Sequence, residues 1–166
     1  AKEGAVVAPT AGMHFSKHLL KRMEIKGVDS AFITLHAGLG NFRTVDVEDL
    51  SKHKVDSEQY FVSEEAAASI NGAKEKGHKI VSIGTTVMRT LETVVSTHGM
   101  IKAQDGWTNK FIFAPYDFTV ADAMVANFQL PESTQLMMVA AFGGYDLIMR
   151  AYKEATEKGY GFGSYG

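Results

Sequence analysis

The sequence has no cysteine and no long apolar run, and each absence excludes a class of protein. Without cysteine there are no disulfides and no thiolate metal sites, which fits a cytoplasmic protein. No apolar stretch approaches the roughly 20 residues that cross a bilayer, and no basic-then-apolar signal peptide opens the sequence. We therefore expect a cytoplasmic protein that is not associated with a membrane.

An excess of charge of one sign is also missing, because the formal net charge at pH 7 is −2. That balance argues against a dedicated nucleic-acid coat protein, but it allows an enzyme with a local basic groove. What is present is 166 residues, 45% of them hydrophobic, which suffices for one domain with a real core. The start at Ala1 on an apolar segment and the glycine-aromatic end indicate part of a longer chain.

Strand and helix patterns alternate along most of the sequence. The patterns predict strands over residues 4–9, 28–38, 78–84 and 109–115. They predict helices over residues 15–27, 63–77, 87–99, 131–143 and 145–159, with an extended stretch over residues 117–131. Ser63 is the expected N-cap of the second helix, and Ser133 or Glu132 lies near the start of the fourth. This order predicts an α/β fold with a mixed β-sheet flanked by helices, in one compact domain over residues 1–166.

The stretch "TLHAGLGNFRTV" (residues 34–45) carries a histidine at the end of a strand and two spaced glycines. Gly38 and Gly40 imitate the start of a dinucleotide-binding loop, but Arg43 occupies the third glycine position and no helix follows. The backbone N–H groups could still hold an anion. His36 is either a general base, a ligand contact or a structural histidine, and spacing alone favours the structural role slightly.

A second candidate is "IGTTVMRTLE", in which a buried strand ends at Gly84 and a helix begins. Free N–H groups at a helix start favour a carboxylate or a phosphate. Thr85, Thr86 and Arg89 are therefore candidate ligand residues. Equally, the threonines could be an N-cap pair and Arg89 could form an ion pair with Glu92 or Glu58.

Histidines four residues apart form a third candidate in "APTAGMHFSKH". His14 and His18 would share one helix face and could ligate a metal, but Phe15 replaces the glutamate of the zinc-protease motif and no cysteine completes the site. We therefore expect no metal. His14 is a candidate proton carrier or substrate contact, whereas His18 is expected to be solvated.

The fourth candidate is "ANFQLPEST", where two side-chain amides flank an aromatic ring. Asn127 and Gln129 could read the edge of a base while Phe128 stacks on it. The structural alternative is a strand that ends at Pro131, with Ser133 capping the next helix.

Several motifs in this order resemble the S-adenosylmethionine:tRNA ribosyltransferase-isomerase family of queuosine biosynthesis. The motifs are "APTAGMHF", "ITLHAGLGNFRTV", "HKVDSEQY", "IGTTVMRTLE", "ANFQLPESTQLMMVAAFGG" and "AY…SYG". They cover nearly the whole sequence. The resemblance implies that this is the C-terminal half of a chain about twice as long, with an N-terminal segment and an inserted β-barrel domain outside it.

The resemblance implies transfer and isomerisation of the ribosyl part of S-adenosylmethionine onto 7-aminomethyl-7-deazaguanine at the tRNA wobble position. The products would be epoxyqueuosine, adenine and methionine. S-adenosylmethionine is then a co-substrate, no prosthetic group is expected, and the partner is a tRNA anticodon loop; the oligomeric state stays open, a monomer included. A positioned base must remove a proton from the carbon beside the sulfonium.

On this interpretation His36 or His14 carries the proton, because neutral imidazole accepts one near pH 7. Substrate contacts are expected from residues of the matching motifs: Thr10, Gly12, Gly38, Gly40, Arg43, Glu58, Thr85, Thr86, Arg89, Asn127, Phe128 and Gln129.

Two family histidines are absent from this sequence. Gln129 occupies the histidine position of the family's N-F-H-L-P, and Asp56 occupies that of H-x-M-H-S-E. Glutamine cannot carry protons near neutral pH. Either those histidines only form hydrogen bonds, which Gln129 can imitate, or the protein is a divergent, non-catalytic relative that binds tRNA or S-adenosylmethionine.

Overall fold

The computed structural model describes residues 3–163 and has helices alternating with short strands. The helices are α1 (Thr10–Met13), α2 (Lys17–Ile25), α3 (Glu64–Glu75), α4 (Thr85–Val94), α5 (Thr134–Gly143) and α6 (Tyr145–Glu157). The strands are β1 (Thr34–Leu35), β2 (Glu58–Val62), β3 (Val81–Ile83), β4 (Gln104–Thr108) and β5 (Ala123–Val125). Two short 3-10 helices cover Leu39–Phe42 and Leu50–Lys52. Within residues 3–163, none of the helices combines the length and the apolar character that a membrane crossing requires.

The five strands form two separate sheets. An antiparallel sheet has the order β1-β2-β4, with Leu35 opposite Tyr60 and Tyr60 opposite Gly106. The second sheet is the parallel pair β3-β5, and α4 starts directly after β3. The predicted α/β class is confirmed, with the strands divided between these two sheets.

Helix α4 is the centre of the fold, because it contributes to both hydrophobic clusters. Its Leu91 and Val94 pack with side chains of β2 and α3, among which Tyr60 is 5% exposed. Met88, on another face of α4, is completely buried against α5 and the segment that precedes α5. Helix α4 is therefore packed between the two hydrophobic clusters.

The predicted helix starts and ends lie within three residues of those observed, except that α4 ends at Val94 instead of residue 99 and that α1 was not predicted. The Ser63 hydroxyl accepts a hydrogen bond from Ala66 N at 3.2 Å, and the Ser133 hydroxyl accepts one from Leu136 N at 3.1 Å. Both serines are thus N-caps, which satisfy N–H groups that have no partner inside the helix.

Two predicted strands are wrong and two strands were missed. Residues 4–9 form no strand: the N–H groups of Val6 and Val7 both donate to the Ala37 carbonyl, so no regular ladder develops. Residues 109–115 are also irregular. The missed strands are β2 and β4, and β4 ("QDGWT") has little apolar alternation to mark it. The final "SYG" of the sequence motifs lies outside the described residues.

Gly106 provides a test of the β2–β4 packing. A Cβ at this position would lie 2.6 Å from the buried Tyr60 hydroxyl oxygen, so Gly106→Ala is expected to lower the free energy of unfolding by about 1–3 kcal/mol. Gly72→Ala is the matched control, because a Cβ there meets nothing within 4 Å inside α3 and is expected to stabilise by about 0.4–1 kcal/mol. Urea unfolding of both variants measures the difference. Equal stability of the two variants would contradict the observed packing.

Candidate active site

A cleft of about 1000 Å³ opens between four parts of the chain. Its walls are the segment 3–12, the segment 32–37 that includes β1, the start of α4, and the segment that follows β5. The predicted site residues that line the cleft are Thr10, Gly12, His36, Thr85, Thr86, Asn127 and Gln129. Tertiary structure thus brings together seven residues that are separated by up to 119 positions in the sequence.

The N-terminus of α4 faces this cleft. Gly84 precedes the helix with a φ of +102°, a conformation that side chains disfavour, and no side chain caps the helix. No acidic residue occupies the first turn, so no carboxylate of this helix neutralises its positive end. The backbone N–H groups of Thr85, Thr86 and Val87 therefore form a site that favours an anion.

His36 also lines the cleft, one residue after β1. Its backbone N–H donates to the Gln59 carbonyl at 2.8 Å, and its ring meets Phe61 edge-to-face at 5.5 Å. Gly4 packs directly on the imidazole, since a Cβ at Gly4 would lie 3.1 Å from the ring. Among residues 3–163, no hydrogen bond to a His36 ring nitrogen is found, so the imidazole is held by packing and by its backbone. Its nitrogens can therefore bond to a ligand in the cleft.

Gly38, Gly40 and Arg43 are not among the described residues that line the cleft. The Gly38 N–H donates to Glu58 Oε1 at 2.6 Å, and a Cβ on Gly40 would come within 2.8 Å of Asp56 Oδ2. Arg43 forms an exposed ion pair with Asp56, at 3.2 Å between Nη1 and Oδ1. Gly40 lets the loop after His36 pack closely against the segment before β2, and the predicted approach of the Gly38 and Gly40 backbone to substrate stays a prediction. Asp56, a departure from the family pattern, thus acts here as the partner of Arg43.

Glu58 and Arg89 form a buried ion pair beside the cleft. Glu58 Oε2 bonds Arg89 Nη2, and the two residues are 4% and 5% exposed. Burial lowers the pKa of Arg89 to about 10, so the guanidinium stays protonated at neutral pH. Of the two partners considered for Arg89, the structure has Glu58, whereas Glu92 accepts hydrogen bonds from the segment Thr119–Val120. Neither Glu58 nor Arg89 lines the large cleft.

His14 and His18 do not share a helix face, contrary to the sequence prediction. His14 is the C-cap of α1, and His18 belongs to α2, which begins after the N-cap Ser16. Among the described residues there is no group of three His, Cys, Asp or Glu side chains that could hold a metal ion. His14 instead meets Asn127, with 3.1 Å between its Nε2 and Asn127 Nδ2.

Asn127 separates the large cleft from a second cavity of about 280 Å³. His14 and Phe128 line that second cavity, so both are close to the cleft without lining it. The Asn127 amide nitrogen also donates to the Gly163 carbonyl at 3.3 Å. Within residues 3–163, its buried Oδ1 has no hydrogen-bond partner.

Phe128 and Gln129 are already engaged within the protein. The Phe128 ring stacks on Phe162, with 5.0 Å between centroids, and meets Tyr152 edge-on. Gln129 Nε2 donates to the Asn127 carbonyl at 2.8 Å, and its backbone N–H donates to the Tyr152 hydroxyl. Gln129 therefore orders the backbone of Asn127 through a hydrogen bond, and the choice between the two alternatives that the sequence left open stays a prediction.

Sequence reasoning missed several parts of the cleft wall. Residues 4–9 were interpreted as a buried strand but line the cleft, and Gln135 contributes from the first turn of α5. Thr90 was also missed, although it lies one turn after Thr86 on α4. The one sequence signal for Thr90 is its spacing of four residues from Thr86, which puts both on the same face of a helix whose start was a candidate site.

Comparison with known proteins places these features in context. The family described as "Queuosine biosynthesis protein" matches residues 1–166. The S-adenosylmethionine:tRNA ribosyltransferase-isomerase of Bacteroides fragilis is 66% identical over 164 residues, which are 99% of this chain and 47% of that protein. The corresponding enzyme of Symbiobacterium thermophilum is 52% identical over 163 residues, 98% of this chain and 48% of that protein.

A solved structure is also similar. The crystal structure of an S-adenosylmethionine tRNA ribosyltransferase from Thermotoga maritima superimposes with a TM-score of 0.75 at 38% identity. The match covers 95% of this chain and 50% of that one. The chain thus spans about half the length of the relatives that it matches.

Proposed function

The chain belongs to the queuosine biosynthesis protein family, and from this we propose that its cleft binds S-adenosylmethionine for a tRNA-modifying reaction. In this proposal the full-length protein transfers and isomerises the ribosyl moiety onto 7-aminomethyl-7-deazaguanine at the wobble position. Epoxyqueuosine forms, and adenine and methionine are released. The observation that carries the proposal is the single cleft that is lined both by His36 and by the uncapped start of α4.

The α4 end of the cleft suits the methionine part of the co-substrate. A carboxylate bound at the N–H groups of Thr85, Thr86 and Val87 would face the positive end of the helix dipole. The two threonine hydroxyls can bond the same carboxylate or the ribose. At about 1000 Å³, the cleft is at the upper end of the range for small-molecule sites and has room for S-adenosylmethionine and part of a nucleotide.

The proton step is assigned to His36. The sulfonium acidifies the adjoining 5′ carbon, so the C–H bond breaks with its electron pair on carbon and the proton on an imidazole nitrogen. Neutral imidazole is a competent base near pH 7. His14 is the alternative carrier, and Asn127, between the two cavities, is assigned to the leaving base.

The wider setting is part of the proposal. Relatives about twice as long support an arrangement in which this α/β domain is the C-terminal half of the chain, and an N-terminal segment and a β-barrel domain lie outside it. We assign S-adenosylmethionine and the tRNA anticodon loop as partners, no prosthetic group, and a cytoplasmic location.

The test uses the full-length protein with S-adenosylmethionine and tRNA that carries the aminomethyl-deazaguanine base. Nucleosides are digested and examined by mass spectrometry for epoxyqueuosine, while adenine release is followed in parallel. We expect both products, and neither with tRNA that carries unmodified guanine, because that base lacks the attacking amine. Folded protein without product, beside an active relative, would refute the transferase.

A second candidate function is a non-catalytic relative that binds tRNA or S-adenosylmethionine. The observation in its favour is that Gln129 and Asp56 stand where the family has histidines. Binding of S-adenosylmethionine measured by calorimetry, without release of adenine, would support this candidate over the enzyme.

A further inference from the structure

One buried carboxylate bonds both the loop after His36 and helix α4. Glu58 is the first residue of β2, and β2 pairs with β1, which leads into His36. Its Oε1 accepts the Gly38 N–H at 2.6 Å, two residues beyond His36. Its Oε2 bonds Arg89, which lies one helical turn after Thr85 on α4. The carboxylate therefore connects the His36 side of the cleft with the α4 side.

The burial of the Glu58–Arg89 pair indicates that it positions other groups and does not itself react. The residues Glu58 and Arg89 are 4% and 5% exposed, and both ends of the Glu58 carboxylate are occupied by protein groups. Hydrogen bonds to an ionised group are short and strong, so they restrict the position of the groups that they join. A displacement of about 1 Å between reacting groups can lower a rate by about a hundredfold.

We propose that Glu58 and Arg89 are positioning residues that set the distance between His36 and the N-terminus of α4, without touching substrate. This inference rests on the proposed function of the cleft. It differs from the sequence interpretation, in which both residues contact substrate. The Gly38 N–H is the point at which the proposal can be observed directly, since it bonds the carboxylate that is in question.

The test compares Glu58→Gln and Arg89→Lys with wild type in the full-length protein. Glycine-selective ¹⁵N labelling reports the Gly38 amide, and Gly38→Ala identifies its resonance; a Cβ there would be 3.8 Å from Glu58 Oε1, an ordinary contact. We expect the Gly38 proton resonance to move to lower chemical shift, because a weaker or displaced acceptor deshields it less. We expect kcat to fall between about tenfold and a hundredfold with KM for S-adenosylmethionine near the wild-type value.

Glu92→Gln is the matched control. Glu92 is as buried as Glu58, at 4% exposed, and lies on α4 like Arg89, but its carboxylate bonds the segment Thr119–Val120. Glu92→Gln is expected to lower the free energy of unfolding, while the Gly38 chemical shift and kcat stay at the wild-type values. If Glu58→Gln does not fold, Arg89→Lys gives the same comparison.

Three results would overturn the inference. A raised KM with unchanged kcat would make the pair a substrate contact. A fall in kcat without movement of the Gly38 resonance would mean that Glu58 acts by another route. Movement of the resonance with unchanged kinetics would leave the pair with a purely structural role. If wild type makes no epoxyqueuosine, the proposed function fails, whereas the Gly38 resonance still decides whether Glu58 holds the loop.

Discussion

Replacing His36 by alanine in the full-length protein is expected to lower kcat between about 100-fold and 10,000-fold, the usual contribution of a positioned general base. Binding of S-adenosylmethionine should persist, because the anion site at the start of α4 is formed by backbone N–H groups on the other wall. Turnover is measured by adenine release. In D₂O, wild type should also exchange hydrogen at the 5′ carbon, and His36→Ala should not.

Two other histidines make the assignment specific. His18→Ala is the control, because His18 lies exposed on α2 and does not line the cleft. His14→Ala tests the alternative carrier, whose imidazole lies beside Asn127. If His36→Ala retained the turnover and the hydrogen exchange of wild type, His36 would not be the proton carrier. If His14→Ala lost the exchange instead, the proton carrier would be His14.

Arg89→Ala is expected to lower the free energy of unfolding by about 3–5 kcal/mol, because the ionised Glu58 would remain buried without its partner. An apolar pair of similar size leaves no charge in the interior, so Glu58→Met with Arg89→Met is expected to be more stable than Arg89→Ala alone. Urea unfolding of the full-length variants measures both differences.

An exposed ion pair provides the comparison. Lys158 Nζ lies 2.6 Å from Glu154 Oε1 on α6, but their side chains are 61% and 65% exposed. Lys158→Ala is therefore expected to change the free energy of unfolding by only about 0–1 kcal/mol. If Arg89→Ala lowered the free energy of unfolding by no more than Lys158→Ala, burial would not govern the contribution of the Glu58–Arg89 pair to stability.

Helices were predicted well because their signals are local. Ser63 and Ser133 accept hydrogen bonds from N–H groups three residues ahead, so the serine and the start of the helix are adjacent in sequence. Strands depend on distant partners instead. Residues 4–9 resemble a buried strand, but the N–H groups of Val6 and Val7 share one acceptor, the Ala37 carbonyl, and form no ladder. The polar segment of β4 is a strand because β2 lies beside it.

At the candidate site too, the features with local signals were predicted and those that depend on distant residues were not. The glycine and threonines of "IGTTVMRT" predict the exposed N–H groups at the start of α4, since a strand, a turn and a helix follow one another there. The sequence left two ion-pair partners possible for Arg89: Glu58, which is 31 residues before it, and Glu92, which is 3 residues after it. Only folding placed the Glu58 carboxylate next to the guanidinium.

The sequence by itself determined the α/β class, the helix ends and the residue types that could carry the chemistry, because caps, periodicity and motifs are local properties. Tertiary structure decided which of those residues face one cleft and which are buried beside it. His36 and Thr85 are 49 positions apart and line one cleft, and the long-range contacts nearby are the pairing of β1 with β2 and the ion pair from β2 to α4. Such long-range contacts leave no local pattern, so they appear only when the chain is folded.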